Sequence, residues 1–285
     1  MAQVLIAGCG YVGTALGLRL AAEGHVVWGL RRHTDALPPS IRPLAADLIA
    51  PQTLRALPPA LDLVFYTAAA DEFDDAAYRA AYVEGLRNLL GALDSHRQHL
   101  RRVFFTSSTG VYAQCAGDWV NETSLTEPVH FSGIRMLEGE HLLLASKFPA
   151  TVLRLAGIYG PARTPMVDSV RRGIAVCTDG PPVYTNRIHR DDCAGALHHL
   201  MTLSQPDLLY LGVDHEPAAQ CAVLRWLAAQ LGVPPPCIEP SSSSDTRLHR
   251  GNKRCSNAKL VASSYAFRYP TFRAGYAALL AEDYS

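Results

Sequence analysis

Three glycines, Gly8, Gly10 and Gly13, stand in G-x-G-x-x-G spacing directly after the apolar run QVLIAG and open the amphipathic run GTALGLRLAAEG. Each has a distinct task in that context. Gly8 permits a tight turn, Gly10 lets a diphosphate approach the backbone, and Gly13 lets helix and strand pack closely. Tyr11 and Val12 lie within that turn, and the N-terminus of the following helix supplies unpaired N–H groups and a positive dipole end that favour an anion. The second apolar run closes in GLRRHT. NAD binding ordinarily places an acid there to accept from the ribose hydroxyls. Here Arg31 holds that place, with Arg32 beside it. A guanidinium only donates, and it pairs with a 2′-phosphate. The spacing predicts a dinucleotide turn, and the arginines predict NADP(H) in preference to NAD(H).

The elements that must position this turn are legible as alternation. QVLIAG (3–8), HVVWGLRR (25–32), LDLVFYTAAA (61–70), RRVFFTSS (101–108), ATVLRLAGIYG (150–160) and DLLYLGV (207–213) read as strands, and IRPLAADL (41–48) is a candidate for another. Helical spacing runs over 13–24, 75–96 and 134–147. Apolar, β-branched strands alternating with helices predict an α/β fold, a Rossmann-type doubly wound parallel sheet covered on both faces. Residues 1–163 with 187–213 are expected to form the nucleotide-binding domain, and 164–186 with 214–285 a small substrate lobe. Two stretches break the alternation, GIAVCTDGPPVYTNR (173–187) and the Pro- and Ser-rich 232–254, where 240–247 is expected to be a mobile surface loop.

Bulk properties exclude several classes. The chain has 285 residues, 48% hydrophobic and 18% charged, with zero formal net charge. It therefore has material for a core and no bulk field for nucleic acid or an anionic membrane. No apolar run is long enough for a membrane span, and no signal peptide is expected. Seven scattered cysteines with no CxxC pair indicate neither a zinc knuckle nor a disulfide framework, and suggest a reducing compartment. The cytoplasm is the expected location.

Several phrases, in order, resemble the extended short-chain dehydrogenase/reductase family, which includes nucleotide-sugar epimerases and dehydratases. AADL (45–48) resembles the turn after the third strand, which implies that Asp47 and Leu48 border the adenine. YTAAA (66–70) resembles the strand end passing under the cofactor, at Ala68, Ala69 and Ala70. YVEGLRNLL (82–90) is similar to the following helix, with Tyr82 where the family usually has asparagine. FTSSTGVYA (105–113) resembles the strand end with the catalytic Ser/Thr, which falls on Ser108. VNETS, LRLAGIYGPAR, NRIHRDDCAGAL and SNAKL resemble later family segments. The resemblance implies a small-molecule substrate, a nucleotide sugar or related polyol, and a homodimer pairing through helices near 75–96 and 134–147.

One departure matters chemically. EGEHLLLA (138–145) is similar to the acidic-leucine run of the family's catalytic helix, which puts Ser132 at the tyrosine site and Met136 at the lysine site. A free phenol titrates near ~10, and a neighbouring ammonium makes its phenolate usable near neutrality. A serine hydroxyl is far less acidic, and methionine carries no charge. Proton transfer must therefore use another group or not occur. His130 is a candidate, since imidazole can give or take a proton near neutral pH, although capping is its plainer role. Glu122, Arg135 and Glu138 are candidates near the cleft, and Tyr112 and Tyr159 candidates at its mouth. Arg154 reads as a buried ion-pair member. His189, Asp191 and Asp192 resemble the segment tying two domains together and lack a fourth ligand for a metal. His198 and His199 read as incidental. The expected function is an NADP-binding epimerase, dehydratase or reductase with a non-standard proton-transfer group; the alternative is a non-catalytic NADP(H)-sensing protein.

Overall fold

The computed structural model describes residues 1–240 and 251–282. Its first strands are β1 (Gln3–Ala7), β2 (Val26–Arg31), β3 (Arg42–Ala45), β4 (Leu63–Tyr66), β5 (Arg102–Ser108), β6 (Asp118–Val120) and β7 (Ala150–Leu155). There follow β8 (Gly157–Tyr159), β9 (Val176–Thr178), β10 (Tyr184–Thr185), β11 (Arg187–His189), β12 (Leu209–Gly212), β13 (Ala218–Ala219), β14 (Cys237–Glu239) and β15 (Lys253–Cys255). The helices used below are α1 (Tyr11–Ala22), α2 (Asp75–Arg79), α3 (Gly85–Ser95), α4 (Phe131–Leu144), α5 (Pro165–Arg171), α6 (Arg190–Thr202) and α7 (Gln220–Leu231).

Seven strands form one sheet in the order β12-β7-β5-β4-β1-β2-β3. The pairs from β3 through β2, β1 and β4 to β5 are parallel. Buried residues fill β4 and β7 throughout, as a sheet covered on both faces requires. The chain runs outward from β1 through β2 to β3, then returns to lay β4 on the other side of β1. Ligands of doubly wound sheets bind outside the carboxyl ends of the strands at such a reversal. That point lies between Ala7 and Tyr66, partners in the β1–β4 register.

The chain divides into two compact units. Unit 1 comprises Met1–Val111, Thr126–Arg154 and Cys193–Tyr210, and unit 2 comprises Tyr112–Leu125, Leu155–Asp192 and Leu211–Ser285. The expected boundaries, 1–163 with 187–213 and 164–186 with 214–285, cut the chain elsewhere. Local pairing explains the difference: β6 pairs with β15 and β8 with β11, so 112–125, 155–163 and 187–192 join the second unit. Its core gathers Tyr159, Val167 and Val170 with Val223, Leu224, Leu227, Phe272 and Tyr276.

Four expectations change in detail. The single helix expected over 75–96 is interrupted by a π turn at Ala80–Glu84, where the Tyr66 hydroxyl donates to the Ala81 carbonyl and a Cβ on Gly85 would meet that hydroxyl. A side chain inserted into the helical ladder widens it in this way. The helix expected at 134–147 is α4, set three residues earlier, because His130 caps it. The run 150–160 breaks at Ala156, whose N–H donates to Gly212 instead of continuing the strand. Cys177 and Cys221 are disulfide-bonded, which corrects the reading of the cysteines. They lie 44 residues apart and meet only when α7 packs beside β9, so their spacing carried no signal. Of the expected loop 240–247, all but Pro240 lies outside the described residues. No helix among the described residues is long and apolar enough to cross a membrane.

Candidate active site

The glycine turn is built by unit 1 from three strands. Gly8 and Cys9 both donate their N–H to the Leu30 carbonyl of β2 at 3.0 Å. Thr67, just past β4, donates its hydroxyl to the Gly8 carbonyl at 2.9 Å. Gly8 has φ of +83°, and a Cβ there would collide with the backbone of Ala68. On Gly13 a Cβ would meet Thr67 Oγ1 at 2.7 Å and Ile6 Cγ2 at 2.9 Å. These two glycines are thus demanded by packing alone. Gly10 differs. There the nearest atom to an added Cβ is the Gly8 carbonyl oxygen at 3.9 Å. The space over Gly10 is open, and as the residue before α1 it offers that helix no side-chain cap. A diphosphate fits that cradle, because the first turn of a helix directs N–H groups and a positive dipole end toward it.

Of the expected cofactor residues, Arg31 and Ala68 touch this turn. Arg31 lies half-buried at the end of β2, with Nη1 donating to the Cys9 carbonyl at 3.4 Å. Its charge therefore sits beside the glycine loop. Arg32 is exposed and paired with Asp71 at 2.7 Å. Ala68 packs on Gly8, which places Ala68, Ala69 and Ala70 along the carboxyl end of β4. Asp47 accepts from the Ile49 N–H at 3.0 Å, and the Leu48 carbonyl accepts from Asn88 at 2.9 Å. Both therefore have turn-forming work of their own. The Tyr82 hydroxyl accepts from the Ala70 N–H at 3.4 Å, a contact that its place at the family's asparagine site gave no means to foresee.

The first turn of α4 stands against the end of β5. A Cβ on Gly133 would collide with the Gly110 carbonyl, while the Gly110 N–H donates to Ser108 Oγ at 3.0 Å. Gly110 therefore links Ser108 to the helix turn that carries Ser132. Deeper in unit 1, Arg154 grips Glu140 with Nε to Oε1 at 2.9 Å and Nη2 to Oε2 at 2.6 Å, and Ser107 donates to the same carboxylate at 2.5 Å. This buried triad joins α4 to β5 and β7 and realises the ion-pair reading of Arg154. Met136 is buried, so an apolar side chain fills the lysine site. His130 caps α4: Nδ1 accepts from the Ser132 N–H at 3.3 Å and lies 2.8 Å from Ser132 Oγ. Arg135 bonds both carboxylate oxygens of Asp75 and also Glu138, tying α4 to α2. His198 bonds Glu23 at 2.7 Å.

The remaining candidates lie in unit 2, where most serve its own structure. Tyr112 is buried and donates to the Asn121 carbonyl, and Glu122 accepts from the Leu211 N–H. Asp192 is fully buried and accepts from the Tyr265 hydroxyl and the N–H groups of Arg268 and Tyr269. His189 Nδ1 accepts from the Asp191 N–H, and Asp191 pairs with Arg190 and Arg268. The trio thus ties down the segment before Phe272. Tyr159 is buried against Gly275, where a Cβ would collide with its ring. Two buried groups here escaped the sequence reading. Asp214 is pushed up to about 7 by burial, with Arg187 pulling it back. Lys253 donates to the Tyr112 carbonyl at 3.1 Å, and burial lowers its pKa.

Comparison with known proteins agrees with this geometry. Residues 4–207 match the model of the NAD dependent epimerase/dehydratase family. The chain is 28% identical to Protein YeeZ of Escherichia coli (strain K12) over 290 residues, covering 95% of this chain and 97% of that one. A Methylobacillus flagellatus structure assigned to the NAD-dependent epimerase/dehydratases is 37% identical, with a TM-score of 0.81 and coverage of 100% and 99%. The Bordetella bronchiseptica enzyme WbmG, solved with NAD and UDP, is 18% identical with a TM-score of 0.82 and coverage of 99% and 96%, a likeness of fold alone. Strand order, glycine turn and sequence match together support one assignment: the chain belongs to the NAD dependent epimerase/dehydratase family, within the extended short-chain dehydrogenase/reductases.

Proposed function

We propose that this protein is an NADP(H)-binding epimerase, dehydratase or reductase of the cytoplasm, acting on a nucleotide sugar or related polyol. The carrying observation is Gly10, whose missing side chain leaves a cradle open before the N-terminus of α1. The amides opening α1 hold the diphosphate, and Ala68–Ala70 border the dinucleotide. Arg31 holds the 2′-phosphate, since its guanidinium lies at the strand end where an acid would bind free ribose hydroxyls. WbmG, solved with NAD, shares only the fold, so the arginine weighs more for this chain. Ser108 donates to the substrate's reacting oxygen; its hydroxyl proton remains available while Oγ accepts from Gly110. The epimerase or dehydratase class follows the family match over residues 4–207.

The test is nicotinamide absorbance during incubation of purified protein with NADPH or NADP+ and a panel of UDP-sugars. Turnover that disappears in Ser108→Ala is the expected result. Tight NADPH binding with no turnover across the panel would instead favour a non-catalytic NADP(H)-sensing protein, a reading that the buried Met136 at the lysine site supports.

A further inference from the structure

We infer that Ser132 and His130 form a proton relay that replaces the missing tyrosine and lysine, Ser132 touching the substrate and His130 positioning and charging it. The inference rests on the functional reading above and names its proton-transfer group.

Hydrogen-bond direction carries it. The backbone N–H of Ser132 can only donate, and it points at His130 Nδ1. Nδ1 therefore presents its lone pair to the helix, and the ring carries its proton on Nε2. The 2.8 Å contact between Ser132 Oγ and the same nitrogen must then be a serine hydroxyl donating to imidazole. That is the arrangement of an activated hydroxyl, a weak acid held by a base that can take its proton. Surroundings fix the ring. It stacks on Phe73 with centroids 5.6 Å apart and planes 19° apart, and tilts on Phe131 at 4.2 Å. Among the described residues no carboxylate forms an ion pair with it, so its proton traffic runs through Ser132. Gly110 packs against Gly133, the residue after Ser132, and donates to Ser108, the group proposed to hold the reacting oxygen.

The balance for carbinol oxidation is direct. The substrate hydroxyl passes its proton to Ser132 Oγ as the serine proton moves to His130 Nδ1, leaving neutral serine and an imidazolium. NADP+, which the α1 amides and Arg31 would hold, would supply the acceptor for the hydride from the carbinol carbon. Carbonyl reduction reverses each transfer, with the imidazolium returning its proton through Ser132 to the new alkoxide.

Two measurements on the cofactor-free protein test the relay. The first is the tautomer of His130 from long-range proton–nitrogen NMR correlations, in wild type and Ser132→Ala. The second is labelling by a fluorophosphonate, in which Ser132 Oγ attacks phosphorus, fluoride leaves and the serine proton goes to His130. Expected are the Nε2–H tautomer, an Nδ1 shift that changes in Ser132→Ala, and a phosphonyl adduct on Ser132. The adduct should form roughly a hundredfold more slowly in His130→Asn. Asparagine is a good helix cap, so that variant keeps α4 while losing the base. An Nδ1–H tautomer, absence of the adduct, or equal labelling of His130→Asn would overturn the relay. Heat on NADPH titration belongs to the dinucleotide reading: heat without the relay signatures removes the relay alone, and the signatures without heat remove the dinucleotide reading alone.

Discussion

Arg154 and Glu140 form a two-point pair inside unit 1, with side chains only 6% and 3% exposed. Ser107 completes the carboxylate's partners. Breaking such a pair from one side leaves a buried charge without compensation, at a cost of about 3–5 kcal/mol. Glu140→Ala should lower the urea unfolding free energy by that amount. Arg154→Met with Glu140→Leu should recover much of it, because an apolar pair of similar volume removes both charges. Equal stability of wild type and Glu140→Ala would show that the triad does not anchor α4.

The glycine turn makes opposite predictions for neighbouring positions. Gly10→Ala places its methyl in open space, so it should cost less stability than Gly8→Ala while NADPH affinity falls by roughly tenfold or more. Gly8→Ala meets Ala68 and a positive φ, and should lose at least ~1 kcal/mol of stability before any ligand is added. Denaturation alongside calorimetry separates the two. Loss of stability in Gly10→Ala without loss of affinity would remove the cradle.

Arg31 governs the choice of dinucleotide. Arg31→Asp should weaken NADPH through lost pairing and added repulsion, and should strengthen NADH by offering an acceptor to the ribose hydroxyls. An unchanged ratio of the two dissociation constants would place the 2′-phosphate elsewhere. Arg32→Ala should have a smaller effect, since Arg32 already spends its charge on Asp71.

Asp214 predicts a pH dependence of stability. Burial pushes its carboxyl up to about 7, whereas an unfolded aspartate titrates near ~3.9. Between those values the folded protein holds a proton that the unfolded chain has released. Stability from this group is therefore lost as pH rises through that window, and the full cost stands above the folded value. Asp214→Asn should gain about 2 kcal/mol relative to wild type between pH ~5 and ~8 in urea unfolding. A constant difference across that range would contradict the assignment.

Local chemistry explains what the sequence revealed. Gly8, Gly10 and Gly13 announce the turn because strand, turn and helix are contiguous, and β1 and β4 announce themselves by apolar runs, VLIA and LVFY. What escaped was set by tertiary approach. The bond between His130 and Ser132 depends on where α4 begins, and that start differs by three residues from the helical periodicity. The π turn at Tyr82 depends on the Tyr66 hydroxyl arriving from β4. The Cys177–Cys221 bond and the burial of Asp214 and Lys253 likewise depend on segments distant in the chain. The shift of 112–125 into the second unit follows from one three-residue strand pairing, β6 with β15, too short to read from sequence.

Calorimetric titration of the purified protein with NADPH and, separately, NADH tests the central claim most directly. Saturable heat with both is expected, tighter for NADPH, and weaker binding in a folded Gly10→Ala. No heat and no thermal protection from either dinucleotide would contradict it.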